Sequence, residues 1–377
     1  MMDEQLTLFD IPEPVRQGPP ALTSEGDSVH LGRHLLRCDD CLSVMAEIED
    51  ESVDSIVTDP PYGINFNGSH WDSSVPGLAW AQECFRVLKP GGHIVAFSAN
   101  RTLHRLTTAL EDSGFEVRDI ISWLQWQGFP KSHDVGKAID RAAGAEREVV
   151  GFSPLHSNIH SSPVAGDPDN KYSGTSFKPK ITAPSTPEAA RWEGWGSALK
   201  PASEPAILCR KPLIGTLAEN VLTHGVGGLN IKACRIPYGD PSWPGPNDNI
   251  SGLWDRPQTT NISAPGCQYK AGLGKHVTHK VDLSAYKPEG RWPANIYMAP
   301  KPGTAERKVN HHPTLKPLKL MRWLCRLVTP PGGLILEPFA GSGTTLIAGD
   351  IEGFRVLAVE REPTYADIIR YRYNQPS

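Results

Sequence analysis

Asp59-Pro60-Pro61-Tyr62 sets an anionic acceptor, a rigid backbone carbonyl and an aromatic ring within four residues. Both prolines lack an amide N–H and have a fixed φ, so the Pro60 carbonyl is presented without a competing donor. Such a set can hold a flat aromatic amine. Asp59 and the Pro60 carbonyl accept its two hydrogens, and Tyr62 stacks on its ring. An ordinary strand-ending turn has the same composition. The second candidate is Glu337-Pro-Phe339-Ala-Gly341-Ser-Gly343-Thr344-Thr345. Its glycines let a ligand come close to the backbone, and the helix expected after them offers free N–H groups. No lysine follows the glycines as in a P-loop, and Leu346 stands where a dinucleotide fingerprint has its third glycine. Glu360 lies about 20 residues further on, where an acid can hold ribose hydroxyls. The ligand implied is a nucleoside without a diphosphate; the alternative is a tight turn with no ligand.

These groups need a scaffold, and the patterning supplies strands and helices in alternation. Apolar spacing predicts helices at 42–48, 80–88, 102–112, 319–328 and 345–351. It predicts strands at 52–58, 93–97, 116–126, 206–210, 334–337 and 355–360. Pro90-Gly91-Gly92 and Pro330-Pro331-Gly332-Gly333 read as helix stops. Strands separated by helices imply an α/β fold, a doubly wound and mostly parallel sheet. Four segments are expected: a Pro-rich flexible tail at 1–28, a catalytic half at 29–214 with a mobile loop at 151–190, an irregular insert at 215–300, and a cofactor-binding half at 301–377.

The chain has 377 residues with 39% hydrophobic and 21% charged, enough apolar content to exclude a wholly disordered protein. No apolar run reaches the ~18 residues of a membrane span, and the acidic N-terminus is unlike a signal peptide. Seven cysteines in a chain this large argue against a disulfide framework and for a reducing, cytoplasmic setting. Cys38-x-x-Cys41 has no second pair, so no metal site is expected. The net charge of −4 hides a split: residues 1–60 carry fourteen acids and three bases, and 291–326 carries eight bases and one acid. The basic stretch suits a polyanion whose binding weakens with salt.

Together the two motifs resemble those of the S-adenosylmethionine-dependent DNA methyltransferases that modify adenine N6 or cytosine N4. The order matches the permuted β class, with D-P-P-Y early and F-x-G-x-G late. The resemblance implies a Rossmann-like methyltransferase fold with a target-recognition insert, and S-adenosylmethionine as cofactor. By it, Asp59, Pro60, Pro61 and Tyr62 are catalytic. Phe339, Gly341, Gly343 and Thr344 form the cofactor loop, Glu337 stands where the family usually has Asp, and Glu360 binds ribose. Asp40 contacts the cofactor adenine, with Asp39 at the family's Gly position, and Lys316 in His312-Pro-Thr-Leu-Lys316-Pro317 lies beside the methionine end. The stretches 128–140, 196–205 and 290–295 look like those of phage and prophage members.

The activity implied is methyl transfer to a base flipped out of double-stranded DNA and stacked on Tyr62. D-P-P-Y favours adenine N6; cytosine N4, more often S-P-P-Y, is the first alternative. The second is an inactive clamp-tethered DNA-binding protein. Arg235, Trp243, Trp254, Arg256 and Lys270 are the insert's candidates for reading DNA. Gln5-Leu6-Thr7-Leu8-Phe9 resembles the peptide that docks on the bacterial sliding clamp, with Leu8 and Phe9 as apolar anchors. A homodimer and a separate restriction partner both remain compatible with the sequence.

Overall fold

The computed structural model describes residues 28–65, 68, 70–128, 132–153, 179–237, 240–242, 290–307, 310 and 312–375. The segment Gln5–Phe9 and the insert residues Trp243, Trp254, Arg256 and Lys270 lie outside them. The chain divides into a larger unit, Met1–Gln127 with Ser203–Ser377, and a smaller one, Gly128–Ala202.

The larger unit begins with β1 (Ser28–Leu31), β2 (His34–Arg37), α1 (Cys41–Met45), β3 (Val53–Thr58), α2 (Leu78–Val87), β4 (Leu88–Phe97), α3 (Leu103–Asp112) and β5 (Glu116–Leu124). The smaller unit holds α4 (Val135–Ala142), β6 (Val149–Phe152), β7 (Lys180–Thr182) and α5 (Pro187–Arg191). The larger unit resumes with β8 (Ser203–Arg210), α6 (Leu217–His224), β9 (Ile296–Met298), α7 (Thr304–Arg307), α8 (Leu318–Val328), β10 (Leu334–Glu337), α9 (Thr344–Ile351), β11 (Arg355–Val359) and α10 (Pro363–Tyr373).

Nine strands form one sheet in the order β1-β2-β11-β10-β3-β4-β8-β5-β9. The run β2-β11-β10-β3-β4 is parallel, as expected. β1 and β8 pair antiparallel to their neighbours. Late strands β10 and β11 insert between early strands β2 and β3, so the two halves of the chain share one sheet. Alternation sends neighbouring side chains to opposite cores. Val57, Val95, Phe97, Ile335 and Val356 join one cluster with Leu320, Leu324 and Leu346 of α8 and α9. Ile56, Ile94, Ala96, Leu336 and Leu357 join the other with Trp80, Cys84 and Leu106 of α2 and α3. Both faces of the sheet are covered, the doubly wound arrangement.

Three expectations about organisation change. Pro90-Gly91-Gly92 continues β4 instead of only ending a helix, because Lys211 bridges it: Gly91 N–H donates to the Lys211 carbonyl, and Lys211 N–H to the Gly92 carbonyl. The insert does not begin at 215. α6 has a capping box at Thr216 and Glu219, and buried Asn220 donates to the Pro90 and Val226 carbonyls, which ties this region to β4. The loop expected at 151–190 ends earlier, because β7 pairs with β6 and α5 is capped by Thr186. Within the smaller unit, buried Asp140 accepts from Thr186, from the Ser185 N–H and from Arg147. Among the described residues, no helix is long and apolar enough to cross a membrane.

Candidate active site

β2, β11, β10 and β3 run parallel side by side, so their carboxyl ends share one edge of the sheet. That edge is where α/β folds bind ligands. Asp40 follows β2, Glu360 follows β11, the Phe339–Gly343 loop follows β10, and Asp59 follows β3. The Glu360 N–H donates to the Arg37 carbonyl at 2.9 Å, locking two of these ends together.

At the end of β3, the Tyr62 hydroxyl donates to Asp59 Oδ1 at 2.7 Å. Lys316 Nζ donates to Asp59 Oδ2 at 2.6 Å and to the Tyr62 hydroxyl at 2.9 Å. It also lies 3.5 Å from Glu204 Oε2. Burial alone would lower the Lys316 pKa, but Asp59 and Glu204 hold it above the ordinary lysine value. Burial, then the charge of Asp59, pushes the Tyr62 phenol well above its usual value. The tyrosine therefore stays neutral and the lysine charged. Lys316, expected beside the cofactor's methionine end, thus meets the D-P-P-Y motif itself; the carboxylate there is what stabilises a buried ammonium.

The loop around Tyr62 is organised by Asp72, which the sequence did not single out. Its buried carboxylate accepts from the N–H groups of Tyr62, Gly63 and Ile64 at 2.5, 2.9 and 3.3 Å. Three amides gathered by one acid fix the backbone that carries the ring.

On the β10 side, Gly341 and Gly343 adopt φ of +53° and +80°. A Cβ on Gly341 would stand 3.2 Å from His312 Nε2, and one on Gly343 would stand 2.9 Å from Ile369 Cγ2. Both positions require glycine, leaving bare backbone at the sheet edge. The Gly341 N–H donates to Glu360 Oε2 at 2.7 Å, and the Glu362 N–H to Oε1 at 2.8 Å. Burial pushes the Glu360 carboxyl up to about 7 against the pull of these amides. His312 packs edge-on to Tyr365, and burial, then the Lys316 charge, lowers it to about 4. It is a neutral ring above the glycine loop.

Two predicted cofactor residues face elsewhere. Glu337 is buried, and its oxygens accept from the Thr58 hydroxyl, the Thr345 hydroxyl and the Phe339 N–H. It pins β3 to the loop, because a buried carboxylate takes the nearest donors. Burial raises it to about 8. The buried Thr344 hydroxyl accepts from Arg372, which also donates to Ser342. Phe339 is half-buried against Trp80. Asp40 is exposed and caps α1, accepting from the Leu42 N–H at 3.0 Å. Among the described residues other than glycine, only Glu51 and Asn65 have positive φ, so Asp39 needs no glycine geometry.

The residues present fit a nucleoside lacking a diphosphate. Carboxylates stand at two strand ends for hydroxyl or amine donors, the backbone between them is bare, and of the cations near the loop Arg372 is committed to Ser342 and Thr344 and Lys316 to Asp59. The basic stretch is partly spent on internal pairs: Lys319 pairs with Asp240, and Arg322 and Arg326 with Glu352. Of the five insert residues predicted to read DNA, only Arg235 is described; it donates to the Gly290 carbonyl and lies 5.3 Å over the exposed ring of Trp292.

Comparison with known proteins bears on the family of the chain. The family model for N6/N4 methyltransferases, described as DNA methylase, matches residues 53–371. The type II methyltransferase M.HindIII of Haemophilus influenzae is 24% identical, over 82% of this chain and 85% of that protein. The M1.HpyAVI–SAM complex is 17% identical with a TM-score of 0.43, covering 89% of this chain and 98% of that one. The cytosine-N4-specific PvuII DNA methyltransferase is 14% identical with a TM-score of 0.45, covering 91% and 87%.

Proposed function

The chain belongs to the N6/N4 DNA methylase family, a family of S-adenosylmethionine-dependent DNA methyltransferases, and on that premise we propose that it methylates the N6 amine of adenine at a specific DNA site. The carrying observation is the carboxylate of Asp59, locked at the end of β3 beside the Tyr62 ring and adjoining the glycine loop of β10. An anionic acceptor at this position suits an amine with two hydrogens to donate. Cytosine N4 is the competing reading, since it presents the same amine on a smaller ring. The type II relative supports site-specific modification of DNA.

Each residue then has a task. Asp59 and the Pro60 carbonyl accept the amine hydrogens, which favours a pyramidal nitrogen and concentrates its lone pair there. Tyr62 stacks on the flipped base, and Asp72 holds the loop that carries the ring. Gly341 and Gly343 admit the cofactor to the backbone, Glu360 accepts from its ribose, and Asp40 faces its adenine. S-adenosylmethionine, when bound, supplies a methyl group on a cationic sulfur. His312, beside Gly341, is neutral and so adds no positive charge to a site that would hold a cationic cofactor. Positioning and electrostatics carry the reaction, with no covalent enzyme intermediate. Nothing among the described residues bears on clamp docking or on a homodimer.

The test is transfer of labelled methyl from S-adenosylmethionine to unmethylated DNA, then digestion and nucleoside mass spectrometry. N6-methyladenine is the expected product. N4-methylcytosine would keep the enzyme class and reverse the base.

A further inference from the structure

Glu204 lies in the 196–205 stretch and has no role in the scheme above. It is the second residue of β8, opposite Trp123 of β5 in the sheet. The start of β8 is held in place from the β4 side: the Ser98 N–H donates to the Pro205 carbonyl, and the Asn100 side chain to the Ser203 carbonyl. This anchored backbone carries Glu204 Oε2 to 3.5 Å from Lys316 Nζ. One buried ammonium therefore has two carboxylates within ion-pair reach, Asp59 at 2.6 Å and Glu204.

Each oxygen of Asp59 already accepts from one donor in this state. Oδ1 takes the Tyr62 hydroxyl and Oδ2 takes Lys316. A target amine must share an Asp59 oxygen with one of those donors or displace it, and an ammonium 2.6 Å away leaves Oδ2 a weaker acceptor for a neutral amine than a freed Oδ2 would be. Tyr62 could leave only by giving up the position that sets its ring. Lys316 can leave Oδ2 by a short swing, but its side chain is only 5% exposed and an ammonium there needs a carboxylate. Glu204 meets that need. Its side chain is 25% exposed, and a closer approach by Lys316 would shorten a contact that already exists.

We infer that Glu204 is a positioning residue, the second carboxylate that takes Lys316 when the target amine displaces it from Asp59 Oδ2. The inference rests on the methyltransferase reading for its substrate, but not for its geometry. Lys316 stays protonated because a carboxylate accompanies it in both positions. No proton or electron moves between protein groups in the exchange.

Thermal unfolding of the full chain tests the geometry without any substrate. Asp59→Asn and Glu204→Gln each leave Lys316 one carboxylate, and the double variant leaves none. The double variant should therefore lose more Tm than the sum of the singles, and the excess should vanish in a Lys316→Met background. Additive losses would overturn the inference. Kinetics tests the exchange. Glu204→Gln should lower kcat by up to about a hundredfold and leave the KM for S-adenosylmethionine within about twofold. In the Lys316→Met background the same substitution should cost nothing further. An undiminished kcat, or an equal loss with and without Lys316, would overturn it. A wild-type chain that moves no methyl to DNA would defeat the methyltransferase reading, and the Tm cycle would still decide whether Glu204 and Asp59 share Lys316.

Discussion

At the end of β3 a half-buried carboxylate is matched to a buried cation, whereas at the ends of β10 and β11 two buried carboxylates are held by hydroxyl and amide donors. Asp59 has Lys316 at 2.6 Å. Glu337 has Thr58, Thr345 and the Phe339 amide, and Glu360 has the Gly341 and Glu362 amides. A nearby ammonium stabilises an anion directly, while dipoles do so partially and against the cost of desolvation. On the amine side Tyr62 and Lys316 are both held above their ordinary values and so do not titrate near neutrality, whereas on the cofactor side Glu337 and Glu360 are raised to about 8 and about 7 and do.

The sharpest way to separate the two sides is to remove Asp59. Asp59→Ala deletes the amine acceptor and should lower kcat by roughly a thousandfold or more. It touches none of the glycine-loop contacts, so affinity for S-adenosylmethionine by calorimetry should stay within about threefold of wild type. Loss of cofactor binding along with activity would mean that the two ends are not independent.

Glu337 tests the claim that dipoles hold a carboxylate less well than a cation does. Its folded pKa, raised to about 8, lies above that of an ordinary unfolded glutamate. The stability it contributes is therefore present below about pH 4.5 and is lost as pH rises through about 8. Glu337→Gln mimics the protonated form. It should flatten the decline in Tm from pH 5 to 9, with a difference on the order of a few kcal/mol at the alkaline end. Parallel pH profiles for wild type and variant would contradict the assignment.

What the sequence made legible divides along the same line. Asp59–Tyr62, the glycine loop and Glu360 follow predicted strands, and each is defined by a few contiguous residues, so local pattern was enough to place them on one edge. The strand continuing through Pro90-Gly91-Gly92 was not legible, because it depends on Lys211, over a hundred residues away. Lys316 was visible as a motif but not by its partner, which is 257 residues distant. Glu337 entered the cofactor set through the resemblance alone, as the acid where the family usually has Asp. Its Thr58 donor comes from a strand that only the permuted sheet makes adjacent. Asp72 carried no signal, since the three amides it gathers belong to backbone.

The glycine loop offers a smaller perturbation confined to the cofactor side. Gly343→Ala places a Cβ 2.9 Å from Ile369 at a φ of +80°. Strain at such a position costs about 1–3 kcal/mol. The cost should appear in Tm and in weaker binding of S-adenosylmethionine, with Tyr62 fluorescence or 2-aminopurine base-flipping signals unaffected at saturating cofactor. Equal damage to base flipping would show that the loop reaches the amine side.

Glu360 gives the smallest and most specific effect. A ribose hydroxyl donates, so it prefers the carboxylate over the carboxylic acid. With the free protein's Glu360 near 7, a substantial share is protonated at pH 6 and little at pH 8. Binding of S-adenosylmethionine should therefore tighten as pH rises through about 7, by up to about tenfold across that interval. Of the neighbours, His312 is already neutral above about 4 and Lys316 is held above its ordinary value, while Glu337, at about 8 and bonded to the Phe339 N–H, overlaps the interval and is removed from the comparison by measuring in a Glu337→Gln background. Groups on the cofactor titrate identically for every variant, so the comparison to make is the difference between proteins. Glu360→Gln should bind less tightly at pH 8 and lose that part of the pH dependence, while Asp59→Ala keeps it. If the slope survives in Glu360→Gln, the pH sensitivity belongs to another group, and the contrast between a cation-paired and a dipole-held carboxylate no longer explains how the two ends differ.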